Sequence, residues 1–269
     1  MSEEMPYIPY GEEGDWKKRF EMTIPILLLI LVFVIVAAKM NWLVGVPFIG
    51  DLFKGPNIDI AVIGNDQSLI KVIETDIRKD LPVNIKVFNK ADLYGVRDAA
   101  TFAKYNMIIM TEGQDGDTIE LERYTLEYLK SFVDSGKPAI VIGLAGNKIV
   151  GSPQASGWNI LGFVPAACKA SKCEETAVSF DRVNMYIRDI NHPILKEFVE
   201  PLNFSSGQIT YTLINPSGGV SILDIEIVTG ADTYTGTALV EKTGGKVVYF
   251  AFHPALYPPL LHNVIQYLR

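Results

Sequence analysis

The side chains here whose types do chemistry gather at a few places. One histidine closes an apolar run as Phe252-His253-Pro254, and another sits in a similar setting, Asn191-His192-Pro193-Ile194. Histidine titrates near neutrality and serves as a general acid or base, a factor of roughly 10²–10⁴, provided it has something to activate. In Glu112-Gly113-Gln114-Asp115-Gly116-Asp117, three carboxylates (Glu112, Asp115 and Asp117) fall within six residues. They could hold a hard cation such as Ca²⁺. The spacing does not fit an EF-hand loop, and the preferred reading is a solvated turn whose acidic residues cap and complement a helix beginning at Asp117 or Thr118. Cys168 and Cys173 share one short loop. In an oxidising compartment they read as a local disulfide, since a metal site would need a histidine or further thiol beside them. Asn203-Phe204-Ser205 is an N-glycosylation sequon.

From Ile58 onward, strands and helices that must position these groups alternate. Apolar runs at Ile58–Ile63, Asn84–Phe88, Asn106–Met110, Pro138–Ile142 and Lys246–Phe252 predict strands. Helices are expected from Asp66, a plausible N-cap, to Asp80, over Asp98–Lys104, over Thr118–Asp134 with Gly136 as C-cap, and over Pro259–Leu268. Such alternation with continuous apolar strands implies a flavodoxin-like, doubly wound, mostly parallel sheet. Ala177–Ile187, Gln208–Leu213, Val220–Val228 and Thr235–Val240 instead carry alternating or β-branched patterns, expected as antiparallel additions at the sheet edge. Ligands of doubly wound sheets bind beyond the carboxyl ends of the strands. Attention therefore falls on Gly64–Ser68, Thr111–Asp117, Gly143–Gly151 and the segment after the last strand, with Asn65, Glu112, Leu144, Ala145, Gly146 and His253 as candidate ligand-binding residues.

Phe252-His253-Pro254, Asn191-His192-Pro193-Ile194 and the strand-to-helix turn Gly143-Leu144-Ala145-Gly146 together resemble the class I glutamine amidotransferase-like superfamily, its trehalose-utilisation-like branch above all, over roughly Ile58 to Arg269. The resemblance implies a catalytic cysteine in a Gly-x-Cys-x-Gly elbow and a later His-Pro-Glu. Here Ala145 holds the cysteine's place, and Ala255 the glutamate's, while His253 and Pro254 match. The pattern implies a catalytically degenerate member without glutaminase activity and without a cofactor.

The chain before this domain has another character. Residues 1–19 form an acidic tail without apolar periodicity, expected to be disordered. Residues 20–47 hold the uncharged run Ile24 to Ala38, extended past Lys39 by Trp42, Leu43, Val44 and Val46, and read as a transmembrane signal anchor. Residues 48–56 connect it to the domain at 57–269. Lys17, Lys18 and Arg19 flank the run on one side against Lys39 on the other, which puts the N-terminus in the cytoplasm and the domain outside. The rival is a signal peptide cleaved after Ala38. The whole chain carries a net charge of −7 and no basic stripe, which excludes a nucleic-acid footprint. The expectation is a single-pass membrane protein whose external domain binds a ligand or an envelope or membrane partner. The alternatives are a hydrolase using His253 with Glu112 or His192, and a structural envelope module.

Overall fold

The computed structural model describes residues 24, 25, 28, 29, 32, 33, 57–112, 119–152, 154–169, 175–198, 202–230 and 232–269, with the backbone alone for 175–181 and 203–208. The chain divides into two units, Met1–Gly55 and Pro56–Arg269. In the first, Ile24, Pro25, Leu28, Leu29, Val32 and Phe33 are helical, and Leu28, Leu29 and Phe33 are 56%, 72% and 61% exposed. The tail, the connector and most of the expected anchor lie outside the described residues. Among the described residues, no helix is long and apolar enough to cross a membrane.

The second unit is built on one nine-stranded sheet. Its strands are β1 (Ile58–Ile63), β2 (Val83–Phe88), β3 (Met107–Met110), β4 (Ala139–Ile142), β6 (Glu175–Ile187), β7 (Leu202–Thr212), β9 (Gly219–Thr229), β10 (Asp232–Lys242) and β11 (Val247–Phe250), in the spatial order β2-β1-β3-β4-β11-β10-β9-β6-β7. A separate pair joins β5 (Ala166–Cys168) to β8 (Ile214–Pro216). The β1–β2, β1–β3, β3–β4 and β4–β11 pairings are parallel, so β2-β1-β3-β4-β11 is the five-strand order of a flavodoxin-like sheet. Every residue of β3, β4 and β11 is buried, as expected of strands covered on both faces. The antiparallel strands continue the sheet beyond β11.

The helices differ in detail from the periodicity. Asp66 caps a continuous helical segment: α1 is Gln67–Val72, the turn Ile73–Ile77 is π-helical, and Arg78–Asp80 returns to α. It buries Leu69, Ile73 and Ile77. Two short helices follow, α2 (Lys90–Tyr94), closed by an Asn89–Asp92 capping box that the periodicity did not suggest, and α3 (Ala100–Ala103). The helix expected from Thr118 begins only at Arg123, as α4 (Arg123–Asp134). Leu121 cannot join it, because its N–H donates to Lys148 O and its carbonyl accepts from Val150 N, both at 3.1 Å, which holds it extended beside Ile149. Gly136 follows the end of α4 with φ of 88°, where a side chain would be strained. A further short helix is α5 (Gly157–Leu161), and α6 (Pro258–Leu268) closes the chain with Leu260, Leu261, Val264, Ile265 and Leu268 buried.

Candidate functional site at the carboxyl edge of the parallel strands

Three parallel strands deliver polar residues, and a fourth a glycine-bounded turn, to one edge of the sheet. Asp66 follows β1, Thr111 and Glu112 follow β3, the Gly143–Gly146 turn follows β4, and His253 follows β11. Gly64 allows the first of these to fit. Its φ is +132°, and a Cβ there would stand 2.6 Å from Thr111 O and 2.8 Å from Glu112 O, so only glycine lets the β1 loop lie on the β3 loop.

Asp66 is the hub. Its Oδ1 accepts from Leu69 N at 3.0 Å, capping α1, while its Oδ2 accepts from the Thr111 hydroxyl at 3.0 Å and from His253 Nε2. Burial pushes the Asp66 carboxyl upward. The hydrogen bond from His253 and the ring's charge whenever it is protonated, with the Leu69 N–H and the Thr111 hydroxyl, outweigh burial and hold it below the ordinary carboxylate value. On the other side of the ring, His253 Nδ1 accepts from Ala255 N at 3.3 Å, which makes this histidine the N-cap of the 3₁₀ turn Pro254–Leu256. With Nδ1 accepting from the Ala255 N–H, the Nε2 proton points at Asp66.

Neither nitrogen is therefore free to take a proton from a substrate. A base oriented by a carboxylate works the other way round, with one nitrogen held and the second facing the reacting group. The elbow is equally unsuited to acyl transfer. Ala145 is 2% exposed and has no nucleophile. Leu144 N, a backbone donor of the turn, is taken by Glu112 Oε1 at 2.8 Å. Gly143 and Gly146 have φ of 55° and 74°, and a Cβ on Gly146 would reach 2.4 Å from Met110 Cε. The turn is thus packed shut against β3. Asn65 is half-exposed, and its Oδ1 accepts from Gln67 Nε2 at 2.6 Å.

Of the residues singled out from sequence, Glu112, Leu144, Ala145, Gly146, Asn65 and His253 all lie on this edge. His192 does not. Its Nε2 meets Glu241 Oε2 at 2.9 Å, and Glu241 pairs in register with Val248 near the start of β11, the opposite end of the strand from His253. Pairing of His192 with His253 in one hydrolytic site is therefore corrected by the topology. Asp115 and Asp117 lie outside the described residues, and among the described residues no three His, Cys, Asp or Glu side chains gather as metal ligands. Cys168 is disulfide-bonded. Cys173, the only other cysteine of the sequence, lies outside the described residues. Asn203 sits in β7, opposite Asn184 of β6. Asp66 and Thr111 lie inside the loops Gly64–Ser68 and Thr111–Asp117 to which the sequence points, but neither stands among the individual candidate residues, Asp66 being expected only as a helix cap. The signal available for both was their place directly after the carboxyl ends of β1 and β3.

No protein-family model and no curated protein matches the sequence. Solved structures do share the fold. A ThuA-like protein from Bacteroides uniformis aligns over 80% of this chain and 92% of its own, with 12% identity and a TM-score of 0.55. One from Parabacteroides merdae aligns over 79% and 90%, with 12% identity and a TM-score of 0.53. A cytoplasmic protein from Salmonella typhimurium aligns over 77% and 98%, with 13% identity and a TM-score of 0.51. The chain shares the fold of these ThuA-like structures.

Proposed function

We propose that this chain is a membrane-anchored protein whose external, catalytically degenerate amidotransferase-like domain binds a ligand or a partner protein at the carboxyl edge of its parallel strands. The observation that carries the non-catalytic reading is the double engagement of His253, with Nε2 on Asp66 and Nδ1 on the Ala255 N–H, beside an elbow with alanine at its centre. The anchor rests on the uncharged run from Ile24 to Ala38, on the basic cluster before it, and on the exposure of Leu28, Leu29 and Phe33 on a helical segment. Aliphatic and aromatic side chains left facing outward on a helix suit a lipid environment better than water.

The test is an assay of the full chain in detergent against glutamine and simple amide and ester substrates, beside His253→Ala. No turnover above background in either protein is expected. Turnover that disappears in His253→Ala would overturn the binding reading in favour of a hydrolase. Protease added to intact cells tests the topology. It should digest the chain beyond Gly50 and spare the N-terminal tail, and the reverse pattern would invert the orientation.

A further inference from the structure

We propose that the outer edge of β7, residues 202–210, pairs antiparallel with the same strand of a second copy of this chain. The nine-stranded sheet ends in two edges, β2 and β7, and they are built differently. β2 has six residues with an exposed Lys86 in its middle, the kind of charge that keeps an edge from recruiting another strand. β7 has eleven residues, Leu-Asn-Phe-Ser-Ser-Gly-Gln-Ile-Thr-Tyr-Thr, with no charge and no proline. Every residue of it carries a backbone N–H, and nothing in it deters a neighbour.

At its far end the edge is already used, since Tyr211 bridges to Phe252 and Thr212 N donates to Ala251 O at 2.8 Å. Among the described residues, nothing pairs with the outer side of 202–210, a stretch of roughly 30 Å at strand spacing. The neutrality of the strand selects its occupant. A strand that pairs with its own copy about a two-fold axis sets its own charges against one another, and β7 has none to set. An edge made for a charged partner segment would carry the complementary charge.

The experiment is native mass measurement on the full chain in detergent, with intact mass confirming that Asn203 is unmodified. The wild-type chain is expected at twice its 29.8 kDa across a dilution series. Ser206→Lys and Ser206→Glu place like charges near the centre of the pairing and should each weaken the dimer by roughly tenfold or more. A one-to-one mixture of the two variants should recover it. Thermal melts of both variants must match wild type, and if one melts early Ser205→Lys takes its place. A monomeric wild type would overturn the proposal. So would a dimer indifferent to the charges, which is the result expected if the apolar N-terminal run held the copies together.

Discussion

At His192-Pro193-Ile194-Leu195 and at His253-Pro254-Ala255-Leu256 the chain makes the same turn twice. In both, a histidine in extended conformation precedes a 3₁₀ turn, its Nδ1 accepts the backbone N–H two residues on, at 3.4 and 3.3 Å, and its Nε2 meets a carboxylate. The carboxylates are Glu241 and Asp66. What differs is the setting. The His192 side chain is 9% exposed at the amino end of β11, where Glu241 also accepts from the Tyr267 hydroxyl at 2.6 Å and Asn263 of α6 donates to Ile194 O at 3.0 Å. His253 is 29% exposed at the carboxyl end, on the edge where this fold binds ligands. A His-Pro sequence thus specifies a capped turn, and its position along the strand, not the motif, decides whether a ligand can reach it. Reading His253 as a catalytic relic from the motif alone would make His192 one as well.

The comparison can be broken first at Gly64, for which the His192 turn has no counterpart. Gly64→Ala forces a Cβ into the Thr111 and Glu112 carbonyls in a strained backbone region and should destabilise the domain by about 3 kcal/mol, read by denaturant midpoint. A near-neutral result would mean that the β1 and β3 loops are not wedged together and that the Asp66 hub is loose. His192→Ala should come next, at about 2 kcal/mol, because it leaves a nearly buried Glu241 with the Tyr267 hydroxyl as its remaining side-chain partner here. In that variant the Tyr267 hydroxyl keeps its hydrogen bond to Glu241, so its pKa, pushed up to about 12 by that bond with burial and the carboxylate's charge adding, should stay high.

His253→Ala should cost less, about 1 kcal/mol, since Asp66 keeps the Leu69 N–H and the Thr111 hydroxyl. A gain in stability there would separate the two turns, because residues held in place for chemistry often do so at the expense of the fold. The smallest effect is electrostatic. Asp66 has a lowered carboxyl pKa, so its stabilising contribution is complete above the unfolded value of about 3.9 and is lost as pH falls through the lowered one. Asp66→Asn should flatten the stability slope below about pH 4 while leaving the slope above it unchanged, as seen in urea midpoints of the two proteins across that range.

The parallel half of the sheet was legible because Met107–Met110 and Ala139–Ile142 are continuous apolar runs, and Ile58–Ile63 is one broken only by Asp59, between helix periodicities. The antiparallel half was legible as strands, although β7 begins six residues earlier than Gln208, where Asn203, Ser205 and Ser206 hide a strand whose pairing with β6 supplies what its composition does not. The late start of α4 was not readable, since Leu121 is kept out of it by backbone bonds to Lys148 and Val150. The site was half readable. Ala145, Glu112 and His253 could be placed on the ligand edge by counting strands. The tie between Asp66 and His253 spans 187 residues and leaves no local signature, so nothing near either residue announces the other.

The account turns on whether His253 has a nitrogen to offer, and the chain's three histidines make that measurable by long-range ¹H–¹⁵N correlation on the ring nitrogens, assigned with His192→Gln and His262→Gln. Where the His253 ring carries a single proton, that proton should sit on Nε2, leaving Nδ1 unprotonated and hydrogen-bonded, and Asp66→Asn should shift the Nε2 signal. A His253 ring with the proton on Nδ1 and a bare Nε2 would be a base oriented for chemistry and would contradict the binding reading.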